Sequence, residues 1–77
     1  MRVMIVDDEP LVREAFKSLV DWSTHGLKIC SEASHGKEAL EYLEDNPVDI
    51  LVTDIKMPVM DGLALIAQVK LLYPNTE

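Results

Sequence analysis

The sequence predicts an α/β fold of order β-α-β-α-β-α, with three parallel strands arranged 2-1-3 and helical crossovers. Three observations predict it. Short apolar blocks, Val3-Met4-Ile5-Val6, Leu27-Lys28-Ile29-Cys30 and Ile50-Leu51-Val52-Thr53, alternate with stretches of helical spacing. Capping and turn residues punctuate the boundaries between them. The first and third blocks both end in carboxylates, Asp7-Asp8 and Asp54. Right-handed crossovers bring all strand C-termini to one edge, where open α/β sheets place their chemistry. With the second strand outermost, the strands ending in Asp7 and Asp54 are neighbours.

Each element follows from its residues. Arg2 to Asp7 is a continuous Val/Met/Ile block, the pattern of a strand covered on both faces. Pro10 sits where proline is tolerated, in the first turn of a helix, with Asp8 or Glu9 as cap. Leu11, Val12, Ala15, Phe16, Leu19 and Val20 then recur as one helical face, which stops near Asp21 or Trp22. Leu27 to Ala33 forms the second strand, and Ser34 caps a helix beginning at His35 or Gly36. Ala39, Leu40, Tyr42 and Leu43 carry its apolar side, and Asn46-Pro47 ends it. Asp49 to Asp54 is the third strand. Asp61-Gly62 opens a third helix through about Tyr73, with Leu63, Ile66, Ala67 and Val69 facing inward.

The bulk composition narrows the function classes. Seventy-seven residues make at most one domain, and a chain of this size buries only about 60% of its unfolded surface. Nearly half the residues are hydrophobic, which argues for a core rather than disorder. The formal net charge is −7, with no basic run, which argues against direct nucleic-acid binding and against an anionic membrane surface. Cys30 is the single cysteine, so no internal disulfide can form, as in a reducing compartment; it reads as a buried strand thiol. With no signal-peptide pattern and no long apolar segment, a cytoplasmic location is expected.

Three carboxylates meeting at one sheet edge repel, and a hard divalent cation is the usual remedy. Taken singly, Asp7 and Asp8 read equally well as helix caps, and Asp54 as a strand-end turn residue. Their occurrence together favours a site. Other polar residues have plainer readings. Glu9 complements the helix dipole and Asp61 is a cap. Asp45 and Asp49 are solvated, and His25 and His35 are exposed loop residues. Trp22 packs a helix end, Met57 and Met60 pack a loop, and Lys37 and Lys56 are solvated.

Val6-Asp7-Asp8-Glu9-Pro10 and Asp54-Ile55-Lys56-Met57-Pro58-Val59-Met60-Asp61-Gly62 resemble the two signature segments of bacterial response-regulator receiver domains. The order and spacing also match, over essentially the whole chain. The resemblance implies a flavodoxin-like, three-layer fold. It also implies a phosphorelay role in a two-component system rather than an enzyme. By that resemblance Asp54 is the phosphoacceptor, loaded from a sensor histidine kinase with Mg²⁺. Asp8 is the direct metal ligand, Asp7 binds the metal through water, and Asp54 and the Lys56 main-chain carbonyl complete the set. Pro58 and Gly62 shape the loop and open the next helix. The connection Asp21-Trp22-Ser23-Thr24-His25-Gly26 is similar to that of receivers joined to AraC-type DNA-binding domains, so transcriptional output through another domain is implied.

Residues 1–77 correspond to the first three βα units of such a receiver, without the last two. The hydroxyl residue and lysine that the family places on the fourth and fifth strands therefore have no counterpart. On this reading the third strand is an unpaired edge and the first helix has a bare apolar face, so self-association is expected. The alternative is a structural half-domain that is not phosphorylation-competent. Two other classes fit worse. A flavin-binding domain needs a Ser/Thr/Gly-rich phosphate loop where Asp7-Asp8-Glu9-Pro10 stands. Aspartate-nucleophile phosphohydrolases commonly carry an acid where this chain has Lys56.

Overall fold

The computed structural model describes residues 1–54 and 60–77. Within them the chain runs β1 (Arg2–Val6), α1 (Pro10–Leu19), a 3₁₀ turn (Ser23–His25), β2 (Lys28–Ala33), α2 (Gly36–Asp45), β3 (Ile50–Thr53) and α3 (Gly62–Leu72). The three strands form one parallel sheet in the order β2-β1-β3, as the residue pattern predicts. Because β1 is central, Val3, Met4, Ile5 and Val6 are each at most 1% exposed. That double coverage is why this strand reads as a continuous apolar block.

Side chains alternate across the sheet. Met4 and Val6 join Ala33, Ala39, Leu43, Val48, Leu65 and Val69 in the core under α2 and α3. On the other face Ile5 lies beside Phe16 of α1 and Val52 of β3. Among the described residues the result is three layers, with α1 alone on its side. Val3 pairs with Ile29 and Met4 with Ser31, so Cys30 is the extra residue of a β-bulge. It is half-buried, with Sγ 3.3 Å from the Val3 carbonyl oxygen.

Several expectations need correction. The buried positions of α3 are Gly62, Leu65 and Val69, whereas Leu63, Ile66 and Ala67 face outward. Every position from Leu63 to Ala67 is apolar, so no polar stripe marks the outer face there; the Asp61 cap and packing on α2 set the rotation instead. Ser34 does not cap α2. His35 does: its Nδ1 accepts the Glu38 N–H at 3.2 Å, while the Ser34 hydroxyl donates to the Glu38 carboxylate. His35 is therefore half-buried and structural rather than a free loop residue. Asp49 is exposed, but its carboxylate accepts the Arg2 N–H at 2.7 Å.

The outer edge of β3 is also less open than expected. The Leu51 N–H donates to the Glu77 carbonyl at 2.6 Å, and the Glu77 N–H donates to the Asp49 carbonyl at 2.9 Å. Thr76 beside it is buried and donates its hydroxyl to the Val48 carbonyl. Two residues thus cover one end of the edge. Among the described residues much of the apolar face of α1 is open, as expected: the helix has no buried residue, Leu11 and Leu19 are 83% and 84% exposed, and Val12 and Phe16 are half-buried. Trp22 anchors its end, the indole N–H donating to the Phe16 carbonyl at 2.9 Å.

Candidate functional site

The site is built from the ends of two neighbouring strands. Val3, Met4, Ile5 and Val6 pair in parallel with Ile50, Leu51, Val52 and Thr53, so both strands stop at the same level. The main chain carries the alignment one residue further. The Asp54 N–H donates to the Val6 carbonyl at 3.0 Å, and the Asp7 N–H donates to the Ala33 carbonyl at 3.0 Å. Both aspartates therefore leave the sheet from fixed points. One carboxylate oxygen from each of Asp7, Asp8 and Asp54 lies within 4.8 Å of the others. Sequence reasoning placed these three on one rim, and the structure brings them together there.

The three differ in setting. Asp7 is 8% exposed, and its Oδ1 accepts the Glu9 N–H at 2.9 Å, bracing the turn into α1. Asp8 and Asp54 face solvent. Below them a cleft of about 240 Å³ is lined by Ile5, Val6, Phe16, Val52 and Thr53 together with Asp7 and Asp54. Lys56, expected to contribute its carbonyl, and Met57 and Pro58 lie outside the described residues.

The far side of the connection after β3 is pinned in two ways. Asp61 caps α3, its Oδ1 accepting the Ala64 N–H at 2.8 Å, as its position before Gly62 predicts. Met60 packs on the core directly over Gly36, where a Cβ would stand 2.9 Å from the Met60 Cγ. Only glycine lets the two segments approach that closely.

Chemically, three converging carboxylates form an all-oxygen donor set, which suits a hard cation rather than a soft one. Without one, the rim concentrates negative charge. An exposed carboxylate at a strand end, its main chain anchored to the neighbouring strand and its oxygens open to solvent, is also placed to act as a nucleophile.

Sequence reasoning missed Arg13. Its Nη1 donates to the Asp7 carbonyl at 2.5 Å, and its Nε donates to Glu32 of β2 at 2.8 Å. Glu32 is gripped from its other oxygen by Lys17 at 2.7 Å, and Lys17 also pairs with Glu14. Hydrogen bonds from Lys17 and then Arg13 hold the Glu32 carboxyl below the usual carboxylate range. Those to Glu14 and Glu32 raise the Lys17 ammonium. A signal was present in the sequence: a cation near the start of a helix opposes the helix dipole, so it needs another reason to be there.

Among the described residues no helix is long and apolar enough to cross a membrane. Residues 3–77 match the family described as the response regulator receiver domain. Among solved structures, the chain is similar to the REC domain of AraT, a response regulator from Geobacillus stearothermophilus. The identity is 38% and the TM-score 0.91, over 99% of this chain and 59% of that one. A two component transcriptional regulator AraC from Clostridium phytofermentans is 33% identical with a TM-score of 0.87, again over 99% and 59%. The transcriptional regulatory protein YesN of Bacillus subtilis is 32% identical over 76 residues, which are 99% of this chain and 21% of that protein. The chain thus spans about a fifth of the length of that curated relative.

Proposed function

Because the chain belongs to the response regulator receiver domains of two-component systems, we propose that Asp54 is its phosphoacceptor and that Asp7, Asp8 and Asp54 hold Mg²⁺. The observation that carries this is the convergence of the three carboxylates within 4.8 Å. Octahedral Mg²⁺ at bonds of about 2.1 Å needs ligand oxygens about 3 Å apart for neighbours and about 4.2 Å across. Shifts of an ångström or so in exposed side chains reach that spacing, so the donor set fits the ion. Asp8 and Asp54 would supply direct ligands, Asp7 would bind through water, and the Lys56 carbonyl would take the remaining protein position.

When bound, the ion neutralises the repulsion between the Asp54 carboxylate and the phosphoryl oxygens. Asp54 supplies the nucleophilic oxygen. An O–P bond forms to Asp54 while the P–N bond of a phosphohistidine breaks, and the imidazole leaves with its electron pair. The exposure of Asp54 supports access for a kinase partner, and the anchored strand ends fix the point from which its side chain leaves the sheet. The product is an acyl phosphate, whose lability suits a timed signal. The role is signalling rather than catalysis of turnover.

The similarity to AraT and AraC regulators supports an AraC-type transcriptional output outside residues 1–77, and a cytoplasmic location follows for such a regulator. Spanning 59% of the matched receiver chain supports reading residues 1–77 as three βα units of a five-unit domain. The bare face of α1 supports self-association of the chain as it stands.

The test is incubation with a small phosphodonor and Mg²⁺, followed by intact mass. A hydroxylamine-labile phosphoryl increment is expected, absent from Asp54→Asn and absent in EDTA. A folded wild-type protein that gains no increment would refute the proposal.

A further inference from the structure

We propose that Arg13 is a positioning residue for the cation site: by holding the main-chain carbonyl of Asp7, it fixes the acidic pair whose carboxylates face Asp54. This rests on the reading of that rim as a Mg²⁺ site. The geometry has three parts. First, β1 ends at Val6, so the Asp7 carbonyl lies past the strand, and the Arg13 guanidinium takes it at 2.5 Å. Second, the guanidinium is itself immobilised. Its Nε is held by Glu32 at 2.8 Å, and its side chain is only 16% exposed. Third, Glu32 belongs to β2, whose Ala33 carbonyl holds the Asp7 N–H. The peptide groups on either side of the Asp7 Cα are therefore clamped, one by the sheet and one by α1. A rigid planar fork with several donors makes such a two-point clamp, which a lysine does not.

Charge alone argues for the opposite effect. A cationic side chain close to the rim repels Mg²⁺, so its removal should tighten binding if electrostatics dominated. Positioning predicts weaker binding, because residues that orient ligands from behind typically carry tenfold or more in metal affinity. The sign therefore separates the two accounts.

The experiment is titration with Mg²⁺ alone, by calorimetry and by amide shifts of Asp8 and Asp54, on wild type, Arg13→Gln, Glu32→Gln and Asp54→Asn. Arg13→Gln is expected to weaken Mg²⁺ binding about tenfold. Glu32→Gln removes the charge but keeps an amide oxygen to accept from the Arg13 Nε, so the clamp on the Asp7 carbonyl persists and Mg²⁺ affinity is expected to stay within about twofold of wild type. If Arg13→Gln does not fold, Arg13→Lys takes its place, and a several-fold loss is expected despite the retained charge. Wild-type or tighter affinity in the Arg13 variant overturns this inference alone. Failure of the wild type to bind Mg²⁺ overturns the site reading, and this inference with it.

Discussion

Neutralising Asp54 should stabilise the metal-free protein. Asn matches the shape of the side chain, and Asp54 is exposed, so the substitution removes charge with little change in packing. Carboxylate oxygens of Asp7, Asp8 and Asp54 stand within 4.8 Å of one another, and unit charges at that distance repel by about 0.9 kcal/mol in water. Salt at 0.1 M, with a Debye length of about 10 Å, trims this by about a third. Two such repulsions involve Asp54, so about 1 kcal/mol is released, and more where the buried Asp7 lowers the local dielectric. For a domain of this length that raises Tm by about 5 °C. Mg²⁺ should cancel the advantage, because wild type at ten times its Kd gains about 1.4 kcal/mol from binding while Asp54→Asn gains less. The assay is thermal denaturation by circular dichroism in EDTA and in Mg²⁺. Glu41→Gln, an exposed acid on α2, serves as the control for net charge. A lower Tm for Asp54→Asn in EDTA, or equal Mg²⁺ shifts in both proteins, would refute the reasoning.

Two further outcomes follow from the same geometry. Glu32 has its carboxyl lowered in the folded state by Lys17 and Arg13. Its contribution is therefore complete above the ordinary glutamate value of about 4.3 and is lost as the pH falls through its folded value. Glu32→Gln should flatten the acid limb of Tm against pH relative to wild type, and an unchanged limb would count against the network. The bare face of α1 should make the isolated chain associate, and sedimentation velocity should show a weight-average mass that rises with concentration. Leu19→Lys, at a position 84% exposed, should reduce that association without lowering Tm by more than about 0.5 kcal/mol equivalent. A single monomer boundary at all concentrations would dismiss it.

The residues determined a good deal by themselves. The order of elements was legible because β1 and β3 are short apolar blocks, β2 lies between a Gly turn and the next helix start, and each helix has a cap, a proline or a clear stripe. The 2-1-3 sheet order followed from crossover handedness together with two acidic strand ends whose joint occurrence favours a shared edge. The acidic rim was legible for the same reason: Asp7, Asp8 and Asp54 close apolar runs, and strand C-termini share an edge.

Tertiary structure decided what local pattern leaves degenerate. The rotation of α3 was one such case, since Leu63 and Leu65 are equally apolar and only docking on α2 chooses Leu65. His35 became the cap of α2 in place of Ser34 because the Glu38 N–H lies within reach of its ring. Arg13 was another, joining Asp7 six residues before it to Glu32 nineteen residues after it. The physical reason is range. Periodicity and capping act within a turn or two of chain, whereas a clamp between helix and sheet exists only after distant segments have been brought together.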